Sequence, residues 1–164
     1  GFDDDFYRKL TKVSHWWGIL EVAKRAKDKW HMHVEVITNI IPTLNDDEKQ
    51  LAGIANWIRS ELGELTPWHV TRFYPRHYMS ELSPTPVATL EHAALIGKKA
   101  GLKFVYVGNV SGHQGENTVC YSCGNLIVKR FGYQTKIIGL KDSKCSFCGA
   151  ELNFRLPAVG GHHD

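Results

Sequence analysis

Apolar residues recur at helical spacing over residues 15–30: Trp16, Ile19, Leu20, Ala23, Ala26 and Trp30 share one side, Lys24, Arg25, Lys27 and Lys29 the other. The pattern predicts an amphipathic helix lying on a sheet. Before it, residues 3–12 predict a short helix with three aspartates in its first turn, where acids favour the positive end of the helix dipole. Residues 33–41 are rich in β-branched side chains and stop at Pro42, which predicts a strand. Asn45 with Glu48 reads as a capping box opening a helix whose apolar stripe is Leu51, Ile54, Ala55, Ile58 and Leu62, stopped by Gly63. The cycle then repeats. Residues 68–73 predict a strand, Thr85-Pro86 a helix start, Leu90, Ala93, Ala94 and Gly97 its inward face, Gly101 its stop, and residues 103–107 a third strand.

Strands alternating with helices at this spacing predict an α/β fold with a parallel sheet. Three strands are too few to close a barrel, so the expectation is a partial parallel (β/α) barrel fragment over residues 1–112. A small C-terminal β ribbon is expected over 113–164. Ligands of parallel folds sit beyond the carboxyl ends of the strands, which directs attention to residues 39–46, 72–84 and 108–118.

The ribbon expectation comes from the cysteines. All four lie after residue 119, as Cys120-Tyr-Ser-Cys123-Gly124 and Cys145-Ser-Phe-Cys148-Gly149, with 21 residues between the pairs. Two thiolates separated by two residues reach one ion, and the glycine behind each pair permits the tight turn. Four thiolates form a closed tetrahedral shell, the structural kind of zinc site. Iron fits the same cage, as in a rubredoxin-like electron-transfer module. Between the pairs, residues 125–130 and 133–138 predict a hairpin joined through Phe131-Gly132. About 45 residues bury too little to stand alone, so the metal is expected to supply folding energy.

Charge adds little. The net is +3, residues 1–118 are balanced, and the excess lies in the tail. A solvated surface accounts for a bias of that size, and nucleic acid is not expected as a partner, although a zinc ribbon that binds nucleic acid or protein stands as an alternative reading of the tail. No run of about 18 apolar residues occurs, no export signal precedes the cysteines, and a reducing, cytoplasmic setting is expected. The opening residues Gly1 to Phe6 read like the interior of a longer protein.

Polar residues gather around the strand ends: His69 and Arg72 on the second strand, and Asn109, His113, Glu116 and Asn117 after the third. No Ser-His-Asp set, phosphate loop or HExxH motif is present, and the residues alone leave the chemistry open.

TNIIPTLNDD from Thr38, WHVTRFYP from Trp68, TPVATLEHAALIGKKAG from Thr85 and FVYVGNVSGHQGENTVCYSCG from Phe104 together resemble radical S-adenosylmethionine proteins. The branch is the one similar to pyruvate formate-lyase activating enzyme that accompanies Memo-type and AMME-type proteins (AmmeMemoRadiSam). The resemblance implies a partial barrel holding a 4Fe-4S cluster and S-adenosylmethionine, the source of a 5′-deoxyadenosyl radical. It implies that Thr38, Asn39, His69, Arg72, Asn109, His113, Glu116 and Asn117 line the cofactor or substrate cavity. It also implies an upstream half-barrel in the same parent chain, and Memo-type or AMME-type proteins or a protein substrate as partners. The family holds its cluster with a CxxxCxxC loop, and this sequence has none. The chain alone is therefore expected to be inactive.

Overall fold

The computed structural model describes residues 1–156; residues 157–164, the last part of the expected ribbon, lie outside the described residues. Three strands, β1 (Val36–Ile40), β2 (Trp68–Arg72) and β3 (Val105–Gly108), form a parallel sheet in that order. The chain passes from β1 to β2 through α3 (Glu48–Trp57), which continues as a wider π-type turn over Ile58–Leu62, and from β2 to β3 through α4 (Val87–Lys99). Two helices precede them: the short α1 (Asp4–Phe6), capped by the Asp3 carboxylate, and α2 (Trp17–Asp28). Among the described residues no helix is long and apolar enough to cross a membrane.

Alternation along the strands gives the sheet two unlike faces. Ile40, Val70, Trp68 and Val107 are buried with Leu51, Ile54, Ala55 and Ile58 of the first crossover and Leu90, Ala93 and Ala94 of the second. Trp68 is the centre of this layer. Its ring is wholly buried, and its indole N–H donates to the Thr38 hydroxyl at 2.9 Å. Gly97 allows α4 to approach that ring: a Cβ there would meet Trp68 Cε3 at 2.8 Å. The other face carries Ile37, His69 and Tyr106 in one register row. Ile37 is 70% exposed.

Residues 118–145 hold the strands of the ribbon. β4 (Thr118–Val119), β5 (Leu126–Phe131) and β6 (Gln134–Ile137) make an antiparallel sheet, and β7 (Leu140–Lys141) pairs with β8 (Lys144–Cys145). Gly132, at φ +57°, opens the two-residue loop between β5 and β6.

Three local expectations are corrected. Asp47, not Asn45, caps α3, accepting from the Gln50 amide. Asn45 is buried and closes the preceding turn, accepting from the Ile41 amide and donating to the Asn39 carbonyl. Thr85 does not cap α4. Its buried hydroxyl accepts from the Phe73 amide and donates to the Ile40 carbonyl, joining the ends of β1 and β2. The helix over 15–30 does not lie on the sheet. Trp16 packs with Phe2 and Tyr7, and Lys27 anchors the far end to the Leu62 carbonyl and the Thr66 hydroxyl. Trp17, Ile19, Val22 and Trp30 stay about half exposed, and no residue of the helix is buried.

Thr38→Val leaves the buried Trp68 N–H without its acceptor. A loss of about 1–3 kcal/mol is expected, to be measured by urea denaturation.

Candidate metal centre and the adjoining cavity

Each cysteine pair sits in the same backbone turn. The Cys120 amide donates to the Asn125 carbonyl and the Gly124 amide to the Cys120 carbonyl, both at 2.8 Å. The second turn repeats this with Cys145 to Ala150 and Gly149 to Cys145, again at 2.8 Å. Gly124 and Gly149 have φ of +74° and +76°, a conformation that a Cβ would penalise. The turns face each other across the ribbon and bring the four sulfurs within 4.8 Å of one another.

Cys120 Sγ lies 3.6 Å from Cys148 Sγ, and Cys123 Sγ 3.7 Å from Cys145 Sγ. A tetrahedron with Zn–S bonds of about 2.3 Å has an S–S edge of roughly 3.8 Å, whereas a disulfide needs about 2.0 Å. The residues fit a tetrathiolate metal and not a pair of disulfides. Hydrogen bonds from the Asn125 backbone and side chain bring the Cys123 thiol down to about 6. At Cys148 the Ala150 amide pulls downward, but desolvation and the neighbouring thiols push the value up to about 11. Without a cation the cluster accepts negative charge at one sulfur and resists it at another. A divalent ion removes that conflict.

The ribbon rests on the open face of the parallel sheet. Phe104, just before β3, joins Cys120, Ile127, Val128, Cys145 and Leu152 in one buried cluster. Tyr106 is the polar joint. Its hydroxyl bonds the Thr118 hydroxyl at 2.9 Å, and the Arg130 guanidinium lies over its ring at 5.5 Å. Arg130 also donates to the Glu116 carbonyl and the Thr118 hydroxyl, while its amide donates to the Asn117 side chain. Between sheet and ribbon is a cavity of about 480 Å³.

Its polar lining is His33, Glu35, His69, Tyr106, Glu116 and Arg130, and residues 152–155 close one side. The Glu35 carboxylate bridges His33 Nε2 and His69 Nε2, each at 3.0 Å. His69 stacks on Tyr106 with ring centres 5.0 Å apart. Burial pushes the Glu35 carboxyl upward, but hydrogen bonds and charge from His33 and His69 outweigh it and hold it below its usual value. Glu116 Oε2 is buried with no hydrogen-bond partner among the described residues.

The residues singled out in the sequence separate into groups. His69 and Glu116 meet at the cavity. Arg72 and Asn109 form another cluster at the strand ends: Arg72 Nε donates to the Thr85 carbonyl, Nη1 to the Tyr74 hydroxyl, and Asn109 Nδ2 to the Arg72 carbonyl. Thr38 faces the helices, on the opposite side of the sheet from His69. Asn39 is exposed at the end of β1. His113 bonds Glu91 at 3.2 Å, and Asn117 holds the Arg130 amide. Sequence reasoning passed over His33, Glu35, Tyr106 and Arg130. Period-two spacing of His33 and Glu35 with Ile37 was the available signal for the first two. Arg130 reaches the cavity only through the docking of the ribbon.

No family model matches the chain. It is similar to an uncharacterized protein of Methanocaldococcus jannaschii, 42% identical over 154 residues, covering 93% of this chain and 46% of that protein. The chain thus spans about half the length of this relative.

The lowered Glu35 value fixes the sign of one pH effect. Its contribution to stability is present above the ordinary carboxylate range and is lost as pH falls through the folded-state value. Glu35→Gln should lower the urea midpoint at pH 7, and the gap from the parent chain should close under acid. A gap independent of pH would contradict the assignment.

Proposed function

We propose that the chain carries a structural zinc ribbon which serves as a docking module and forms one wall of a ligand cavity on a parallel βα unit. The convergence of four sulfurs within 4.8 Å supports this reading. A closed tetrathiolate shell leaves no open position for substrate, so the metal's contribution is folding energy. Cys120 and Cys145 would anchor it from the buried side, Cys123 and Cys148 from the exposed side. The division into a βα part over 1–112 and a ribbon over 113–164 belongs to the same proposal.

Elemental analysis of the purified chain should find one zinc per molecule. Cys145→Ser should abolish stoichiometric binding, and a strong chelator should lower the thermal midpoint of the parent chain. A metal-free, fully folded chain would overturn the reading. Stoichiometric iron with visible absorption would shift it to the rubredoxin-like alternative.

A second reading concerns a longer parent protein. The sequence resemblance points to the C-terminal part of a radical S-adenosylmethionine enzyme, and the parallel βα sheet and the greater length of the M. jannaschii relative are compatible with a longer parent. The missing barrel strands and the cluster loop would then belong to the other half of the parent, which would also supply the radical chemistry. His69 with Glu35 would orient a ligand in the cavity, and Arg72 with Asn109 would act at the strand ends. His69→Ala and Arg72→Ala in a reconstituted full-length parent should each reduce S-adenosylmethionine cleavage by an order of magnitude. Parental turnover in both variants would remove these assignments.

A further inference from the structure

The outward surface of the ribbon hairpin is built unlike a solvated face. Residues 131–138 are exposed without a break, and Phe131, Ile137 and Ile138 are 61%, 58% and 45% exposed, with Tyr133 fully in solvent at the loop. Across β5 and β6, Lys129 lies directly opposite Lys136. Like charges facing each other in this way weaken a sheet. Neither lysine, nor Lys141 nearby, takes part in an ion pair among the described residues, and Glu and Asp are absent from residues 117–141. Beyond β6 no strand pairs with it, so its second edge is free among the described residues.

Each feature alone has a bland account. Lysine on an edge discourages aggregation, and single exposed aromatics are common. Their combination is different: two facing lysines without counter-charge on one face, an exposed Ile137 on the other, and an open backbone edge on a hairpin anchored from behind by Arg130. An extended polypeptide satisfies all three at once. Its backbone continues the sheet, its carboxylates meet Lys129 and Lys136 on one face, and its alternate apolar side chains cover Ile137 on the other. Single-stranded nucleic acid would use the lysines and the two aromatic rings but would leave Ile137 and Ile138 uncovered and the backbone edge unpaired.

We infer that the free edge of β6 is a docking site for an extended acidic peptide segment, added as a fourth strand and held by Lys129 and Lys136. This names the partner class of the docking module and rests on the ribbon reading above. The bound segment would be recognised by charge and by backbone pairing, and its exact sequence would matter less than its alternation of acidic and apolar residues.

The test uses the full chain with its zinc content measured first, so that loss of the ribbon and absence of the peptide site are separate outcomes. The probe is a fluorescein-labelled peptide alternating glutamate and valine, followed by anisotropy. Three comparison probes are the lysine–valine peptide, a glutamate–valine peptide N-methylated at alternate amides, and a labelled oligothymidylate. The parent chain should bind the glutamate peptide at least about tenfold more tightly than the lysine or N-methylated peptide, a difference of about 1.4 kcal/mol. Lys129→Glu/Lys136→Glu should reverse the charge preference while keeping its zinc. Lys98→Glu/Lys99→Glu on α4 should leave binding unchanged. Zinc-loaded chain that ignores the glutamate peptide, binds the N-methylated one equally, or prefers the oligonucleotide would overturn the inference. Failure of the double variant to hold zinc would move the decision to Ile137→Ser, which should weaken peptide binding by a similar factor.

Discussion

Four cysteine sulfurs within 4.8 Å of one another, two of them on buried residues, are placed to share one metal ion. The two cysteine turns are distant in the chain and meet at these sulfurs. Between them runs a hairpin whose outer strand is wholly exposed, and the short β7–β8 pair adds little burial. Through Cys120 and Cys145 the sulfur cage is continuous with Ile127, Val128 and Phe104, so an ion held there would order both the ribbon and the surface where the ribbon meets the sheet. The cavity depends on this contact. Arg130 and residues 152–155 stand at its edge only while the ribbon stays docked.

The parallel sheet depends on a different constraint. Trp68 is large, buried and polar at one atom, so it needs space and an acceptor. Gly97 provides the space and Thr38 the acceptor. With the helices committed to that face, the opposite face is left to His69, Tyr106 and Ile37. Ribbon residues cover the β3 side of this row, while Ile37 at the β1 side remains open. The two faces therefore divide the work: one holds the helices, and the other presents polar groups to a cavity.

The sulfur cage was legible because its signal is local: paired cysteines, each backed by a glycine, need no tertiary information. The strand–helix alternation was legible for a similar reason, since apolar spacing in residues 51–62 and 90–97 follows a helical period and gave the stripes that line the core. The misread details turn on competition between local and distant partners. Asn45 and Thr85 have the chemistry of helix caps, yet their side chains close a turn and join two strands, because buried backbone groups there had no other partner. The cavity was only half legible. His69 and Glu116 stood out as polar residues near strand ends, but Glu35 acts from just before β1 and Arg130 from another sheet. Neither position can be inferred until the ribbon is folded back over the strands.

Tyr106 carries a consequence for how such a chain can change over generations. It touches His69 on one side and Arg130 on the other, and its hydroxyl meets Thr118. A ribbon transplanted from another protein would lack the matching threonine and arginine, while a new sheet would lack the tyrosine. The halves are therefore expected to have been inherited as a unit, with drift at 106, 118 and 130 occurring in concert.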